Sequence, residues 1–140
     1  MTPPYTPLDL RAMPGGTWEL QKPFRVTVDA LKGRQVSVPK GFLTDLASVP
    51  RLPFVYWSVG GRGRRAATIH DYLYQTHADQ VSRSDADRAF YEVLTRAEPG
   101  GDGEGVAVAW AMWLGVRAGG MWAWHTGPRR FRAFQNQRHE

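Results

Sequence analysis

The stretch Arg65-Ala66-Ala67-Thr68-Ile69-His70-Asp71-Tyr72-Leu73-Tyr74-Gln75-Thr76-His77 decides the reading of this chain. At about 100° per residue, Ala66, Ala67, His70, Leu73, Tyr74 and His77 fall on one side of a helix, with Thr68, Tyr72 and Gln75 opposite. Asp71 falls at the margin of the apolar side, where it can turn to solvent or to a partner. A buried polar group without a hydrogen bond costs on the order of 1–3 kcal/mol. His70 therefore needs a partner from elsewhere in the chain. His70, Asp71 and Tyr74, placed within little more than one helical turn, form the candidate catalytic group, with His77 beside them.

Working outward, Ser82-Arg83-Ser84-Asp85 has the Ser-x-x-acid pattern of a helix start. Ala86, Ala89, Phe90, Val93 and Leu94 make the apolar stripe of that second helix, with Asp87 at its edge. The short connection between the two helices predicts an antiparallel hairpin. Asp85 and Asp87 are then expected closer to His77 than to His70, and both also suit a first helical turn with no further role. Upstream, Trp18–Leu20, Phe24–Val28 and Gln35–Val38 alternate with period two, which predicts a small antiparallel sheet with one wet face. Asp29 to Arg34 connects the last two strands. Pro39 and Gly41 end or bulge the final strand near Lys40. Residues 1–16, rich in Pro and Gly, read as an extended arm, and Glu98 to Gly105 as a flexible solvated loop. Val106 to Val116 is apolar on every side and reads as a buried, Trp-rich central helix. It is too short for a membrane span of about 20 residues. The expected fold is α+β: a small antiparallel sheet packed with a helical hairpin and that buried helix, one domain over 17–125, then a basic tail over 126–140.

The 140 residues include no cysteine, which excludes a thiol nucleophile, thiolate zinc ligands and a disulfide framework. The net charge of +5 suits an acidic partner such as nucleic acid, teichoic acid or membrane headgroups. Much of it is local, in Arg62, Arg64 and Arg65 and in Arg129, Arg130, Arg132 and Arg138. The aromatic residues are not interleaved with these, which argues against a single-strand nucleic-acid platform. The loop Gly60-Gly61-Arg62-Gly63-Arg64-Arg65 opens directly onto the His70 helix, so Arg62, Arg64 and Arg65 are candidate anion ligands at a helix N-terminus. Its spacing is not that of a phosphate loop. Asp45 and Ser48, in a turn-rich segment, either cap local backbone N–H groups or bring the Asp45 carboxylate to His70. Two histidines and several carboxylates in one hairpin also offer ligands to a divalent cation, with Asp71 and Asp87 as the candidates.

Three blocks carry a resemblance: Val38-Pro39-Lys40-Gly41-Phe42-Leu43-Thr44-Asp45-Leu46-Ala47-Ser48-Val49-Pro50, then Ala66 to Tyr74, then Ser82 to Phe90, followed by the late apolar helix. In order and spacing the chain resembles the bacterial and phage family catalogued as domain of unknown function 1353, over roughly residues 17–125. That resemblance implies a phage or prophage setting and no established reaction. The His70-Asp71-x-x-Tyr74 step is also similar to the helix of secreted phospholipases A2, on a chain without their flanking cysteines. There the His is the base and the Asp binds calcium, which implies those roles for His70 and Asp71, with Asp87 as a second-helix carboxylate.

Two function classes follow. In the first, the chain is a small hydrolase acting on cell-wall or phospholipid material, with His70 as general base oriented by Asp45 or Asp87. In the second it is a non-enzymatic virion or tail component, in which His70, Asp71 and Asp45 form a structural polar network. Expected partners are phage structural proteins or the bacterial envelope. The N-terminal segment lacks a charged region followed by an apolar one, so no secretory signal is read, and host cytoplasm or phage particle is the expected location.

Overall fold

Phe24, Val26 and Val28 alternate with Arg25 and Thr27, and that period-two pattern lets one strand face bury three large apolar side chains. The computed structural model of the chain describes residues 5–14, 17–44, 63–76, 81–97, 100–117 and 124. In chain order the strands are β1 (Leu10–Ala12), β2 (Trp18–Leu20), β3 (Phe24–Val28), β4 (Arg34–Val38) and β5 (Leu43–Thr44). The helices are α1 (Arg64–Thr76) and α2 (Arg83–Thr95), followed by α3 over 106–117.

β2, β3 and β4 fall where the alternation places them, β1 and β5 lie in segments read as arm and turn, and the five form two antiparallel sheets. β3 pairs with β4, with Phe24 opposite Val38 and Val26 opposite Val36. A 3-10 turn over Asp29–Leu31 joins them, closed by Lys32 at φ 60° and Gly33 at φ 72°. The other sheet has the order β1-β2-β5. The described part of the N-terminal lead-in is extended, as expected, and is bound into the domain. Leu10 pairs with Leu20, and Tyr5 makes an isolated bridge to Val26. Pro39 ends β4, and Gly41, at φ 88°, turns the chain so that its N–H donates to Leu20 O at 2.7 Å.

α2 begins as its cap pattern predicts: the Ser82 hydroxyl accepts from the Asp85 N–H at 3.1 Å. All five residues of its expected stripe, Ala86, Ala89, Phe90, Val93 and Leu94, are buried. Glu92 on its other side accepts from the Asp29 and Ala30 N–H groups at 2.8 and 2.9 Å, which fixes the 3-10 turn to the helix.

Two expectations about the helices are corrected. The central helix is α1, not the Trp-rich one: Thr68, Asp71 and Gln75 are buried together with the apolar side. α3 is not buried all round. Ala109, Met112 and Val116 face the core, while Val106, Trp110 and Leu114 are exposed. The 98–105 segment, expected as solvated loop, is in its described part a splice between helices. Gly101 packs so tightly that an added Cβ would stand 2.4 Å from Val93 O. Asp102, Gly103 and Glu104 donate backbone N–H groups to Val93, Arg96 and Leu94 carbonyls.

Candidate functional site

α1 and α2 cross as an antiparallel pair, and the second turn of α2 places Asp87 opposite the middle of α1. The His70 Nε2 lies 2.7 Å from Asp87 Oδ1. The Tyr74 hydroxyl, one turn further along α1, donates to the same oxygen at 2.6 Å. At the end of α3, Arg117 Nη1 donates to Oδ2 at 2.9 Å. One carboxylate thus gathers groups from three helices. Asp87 reaches His70 directly, because α2 starts far enough along its own axis that Asp87 falls level with the centre of its partner helix, while His77, its expected neighbour, lies outside the described residues.

Asp87 is fully buried and His70 is 1% exposed. The imidazole is held between two rings, with Tyr74 at 4.1 Å and Phe90 edge-on at 5.1 Å between centroids. Trp124 meets the outer edge of Tyr74 at 5.1 Å. Burial by itself raises the Asp87 pKa. The hydrogen bond and charge of His70 and the hydrogen bonds from Tyr74 and Arg117 outweigh it, and the carboxyl is held below the usual carboxylate range. Tyr74 moves the other way: burial first, then the adjacent carboxylate, push its hydroxyl well above an ordinary tyrosine. Tyr74 is therefore a fixed donor and Asp87 a fixed anion at neutral pH.

An ionised carboxylate has only lone pairs to offer, so the hydrogen in the His70–Asp87 contact resides on Nε2. The second ring nitrogen, Nδ1, is buried and makes no hydrogen bond. In the neutral ring Nδ1 carries a bare lone pair. The arrangement is a histidine whose tautomer and tilt are set by a carboxylate through one nitrogen, with the other buried and without a hydrogen bond.

Asp71 is buried on a different side of α1 from His70. A calcium ion takes 6–8 oxygen ligands. Among the described residues no group of three or more His, Asp and Glu comes together, and Asp87 is committed to three donors, one of them a guanidinium. Both oxygens of Asp87 are thus taken up by donors of this chain.

The expected anion site at the start of α1 is filled by the chain itself. Asp102 accepts from the Arg65 and Ala66 N–H groups at 3.0 and 2.8 Å. Arg65 Nη1 donates to Gly101 O and pairs with the same carboxylate. The Arg64 guanidinium lies over the Trp18 ring at 5.0 Å. Asp45, Ser48, Arg62 and His77 lie outside the described residues. Two residues at the site escaped the sequence reading. Arg117 stood out only as the charge that ends an apolar run, and Asp102 only as a polar residue between glycines.

The family model described as "Protein of unknown function (DUF1353)" matches residues 18–116. No curated protein and no solved structure matches the chain.

Proposed function

The chain belongs to the DUF1353 family, and from that premise we propose that it is a small hydrolase with His70 as general base and Asp87 as its orienting carboxylate. The observation that carries this reading is the asymmetry of the His70 ring, with Nε2 fixed on Asp87 at 2.7 Å and Nδ1 buried without a hydrogen bond. No hydroxyl of a described residue sits on Nδ1, and the chain has no cysteine, so the nucleophile that fits is water. Nδ1 takes a proton from the water as its oxygen attacks an acyl carbonyl carbon. The acyl–oxygen bond then breaks and the proton passes from Nδ1 to the leaving alkoxide, giving acid and alcohol. Asp87 stabilises the transient imidazolium, and Tyr74 and Arg117 keep Asp87 ionised throughout. The His-Asp-x-x-Tyr likeness favours the acyl ester of a phospholipid over cell-wall material, and a phage setting supplies an envelope as its source.

A second reading has its own support. His70 is 1% exposed and Asp87 fully buried, and the network joins three helices, which suits a structural lock in a non-enzymatic virion component. His70→Gln separates the two, since its amide keeps a donor for Asp87 and removes the base. The experiment is fatty-acid release from phospholipid vesicles by the full chain, read beside thermal unfolding. On the hydrolase reading His70→Gln folds and loses a factor of about 10²–10⁴ in rate, the worth of a positioned base. A wild type that releases no fatty acid, or a variant that turns over as fast as wild type, would sink it.

A further inference from the structure

From Gly105 to Val116 the chain carries no charged residue. Its inner side is accounted for by Ala109, Met112 and Val116, all buried. The outer side is not. Val106 is 64%, Trp110 50% and Leu114 55% exposed, and their spacing of four residues lines them along one side of α3. Trp110 stands edge-on to Trp113 at 5.4 Å and to Tyr91 of α2 at 6.2 Å, which widens the stripe into an aromatic patch shared by two helices. A contiguous apolar patch of this kind marks an interaction surface.

The chemistry of the occupant follows from what comes next in the chain. Beyond Arg117, whose guanidinium is taken by Asp87, come Arg129, Arg130, Arg132 and Arg138 against a single acidic side chain, Glu140. The stripe is therefore followed by net positive charge. The described helix spans 106–117, about 18 Å at 1.5 Å per residue, short of the roughly 30 Å of a bilayer core. No helix among the described residues is long and apolar enough to cross a membrane. Tryptophan, with an apolar body and one N–H, suits the boundary between headgroups and acyl chains. We infer that the outer side of α3 docks on an anionic lipid surface: Val106, Trp110 and Leu114 enter the interface, and the net positive charge carried by Arg129, Arg130, Arg132 and Arg138 favours headgroup phosphates. Vesicle binding is read without turnover, so this inference stands whether or not the hydrolase reading does.

The test is co-sedimentation of the full chain with phosphatidylcholine vesicles, with and without phosphatidylglycerol, alongside tryptophan emission. Wild type is expected to bind the anionic vesicles at least about tenfold more tightly than the neutral ones, with a blue shift in emission and loss at high salt. Trp110→Glu/Leu114→Glu should lose that binding while circular dichroism still reports the wild-type fold, Trp110 and Leu114 being 50% and 55% exposed. If this variant fails to fold, Trp110→Ser/Leu114→Ser serves in its place. Wild type that ignores anionic vesicles overturns the inference. So does a folded variant that binds them equally well, which would leave charge alone responsible. A concentration-dependent dimer, lost in the variant and indifferent to lipid, overturns it in favour of a second copy.

Discussion

His70 on α1 and Asp87 on α2 meet at 2.7 Å in a fully buried contact, and Asp87 holds Tyr74 and Arg117 as well. Removing the carboxylate leaves a guanidinium and two ring donors without their acceptor. The two ring donors are buried and cost about 1–3 kcal/mol each when unsatisfied, whereas Arg117, 36% exposed, turns to water. Asp87→Ala should lower the unfolding free energy by the cost of those two donors in urea titration. Asp87→Asn keeps one acceptor and should cost less. Equal stability of Asp87→Ala and wild type would mean that the network contributes nothing to the fold.

The same carboxylate sets an acid limb. Its folded pKa lies below the unfolded one, so the unfolded state binds the extra proton in the window between them. Stability is fully present above the ordinary carboxylate value of about 3.9 and is lost as pH falls through the folded value. Urea midpoints measured downward from neutral pH should drop steeply below about pH 4 in wild type, and less steeply in Asp87→Asn.

Gly101 tests how tightly the segment after α2 packs on the end of that helix. A Cβ there would stand 2.4 Å from Val93 O and 2.5 Å from Arg96 O, and both are backbone atoms that cannot swing aside. Gly101→Ala should destabilise by about 1–3 kcal/mol or more, the range of overpacking, whereas Gly33→Ala meets nothing within 4 Å and is opposed only by its φ of +72°. The comparison is made by thermal melts of the two variants.

How far the sequence speaks depends on contrast between neighbouring side chains. β3 is legible because valines alternate with Arg25 and Thr27, and α2 because Ser82 marks its start and its stripe stands against polar residues. In 105–116 every residue is apolar or glycine, so no periodicity reports which side meets water, and the exposure of Trp110 and Leu114 is invisible. α1 fails in the opposite sense. Thr68 and Gln75 read as its wet side and Asp71 as its margin, but all three are buried, so polarity on this helix does not report which side meets solvent. The members of the site were legible on α1 and α2 as residue types. Their pairing stayed open between Asp45 and Asp87 for His70, because it depends on how far along its axis one helix lies against the other.

α3 yields a prediction from that contrast. Met112 is fully buried and Leu114, two residues on, is 55% exposed. Met112→Ala should cost about 2–5 kcal/mol, and Leu114→Ala should stay within about 0.5 kcal/mol of wild type. Chemical denaturation of both variants checks the orientation of the helix. A large cost at Leu114 would mean that its side chain is covered in solution.

Asp102 caps α1 from across the fold, accepting from the Arg65 and Ala66 N–H groups. A lost N-terminal cap typically costs about 0.5–2 kcal/mol. Asp102→Ala is expected near the upper end, because two backbone donors lose their acceptor together. Its pH behaviour has the opposite sign to that of Asp87. Burial raises the Asp102 pKa more than the two N–H groups and Arg65 lower it, with Glu104 adding to the rise. In the window above the ordinary carboxylate value the folded state therefore binds more protons than the unfolded one, and stability declines as pH rises through it. Asp102→Asn keeps one acceptor and cannot ionise. It should start from lower stability and lose that decline, so that the wild-type and variant curves converge as pH rises from about 4 towards neutrality. Parallel curves would show that the Asp102 charge carries no folding penalty and that the two N–H groups fully offset its burial.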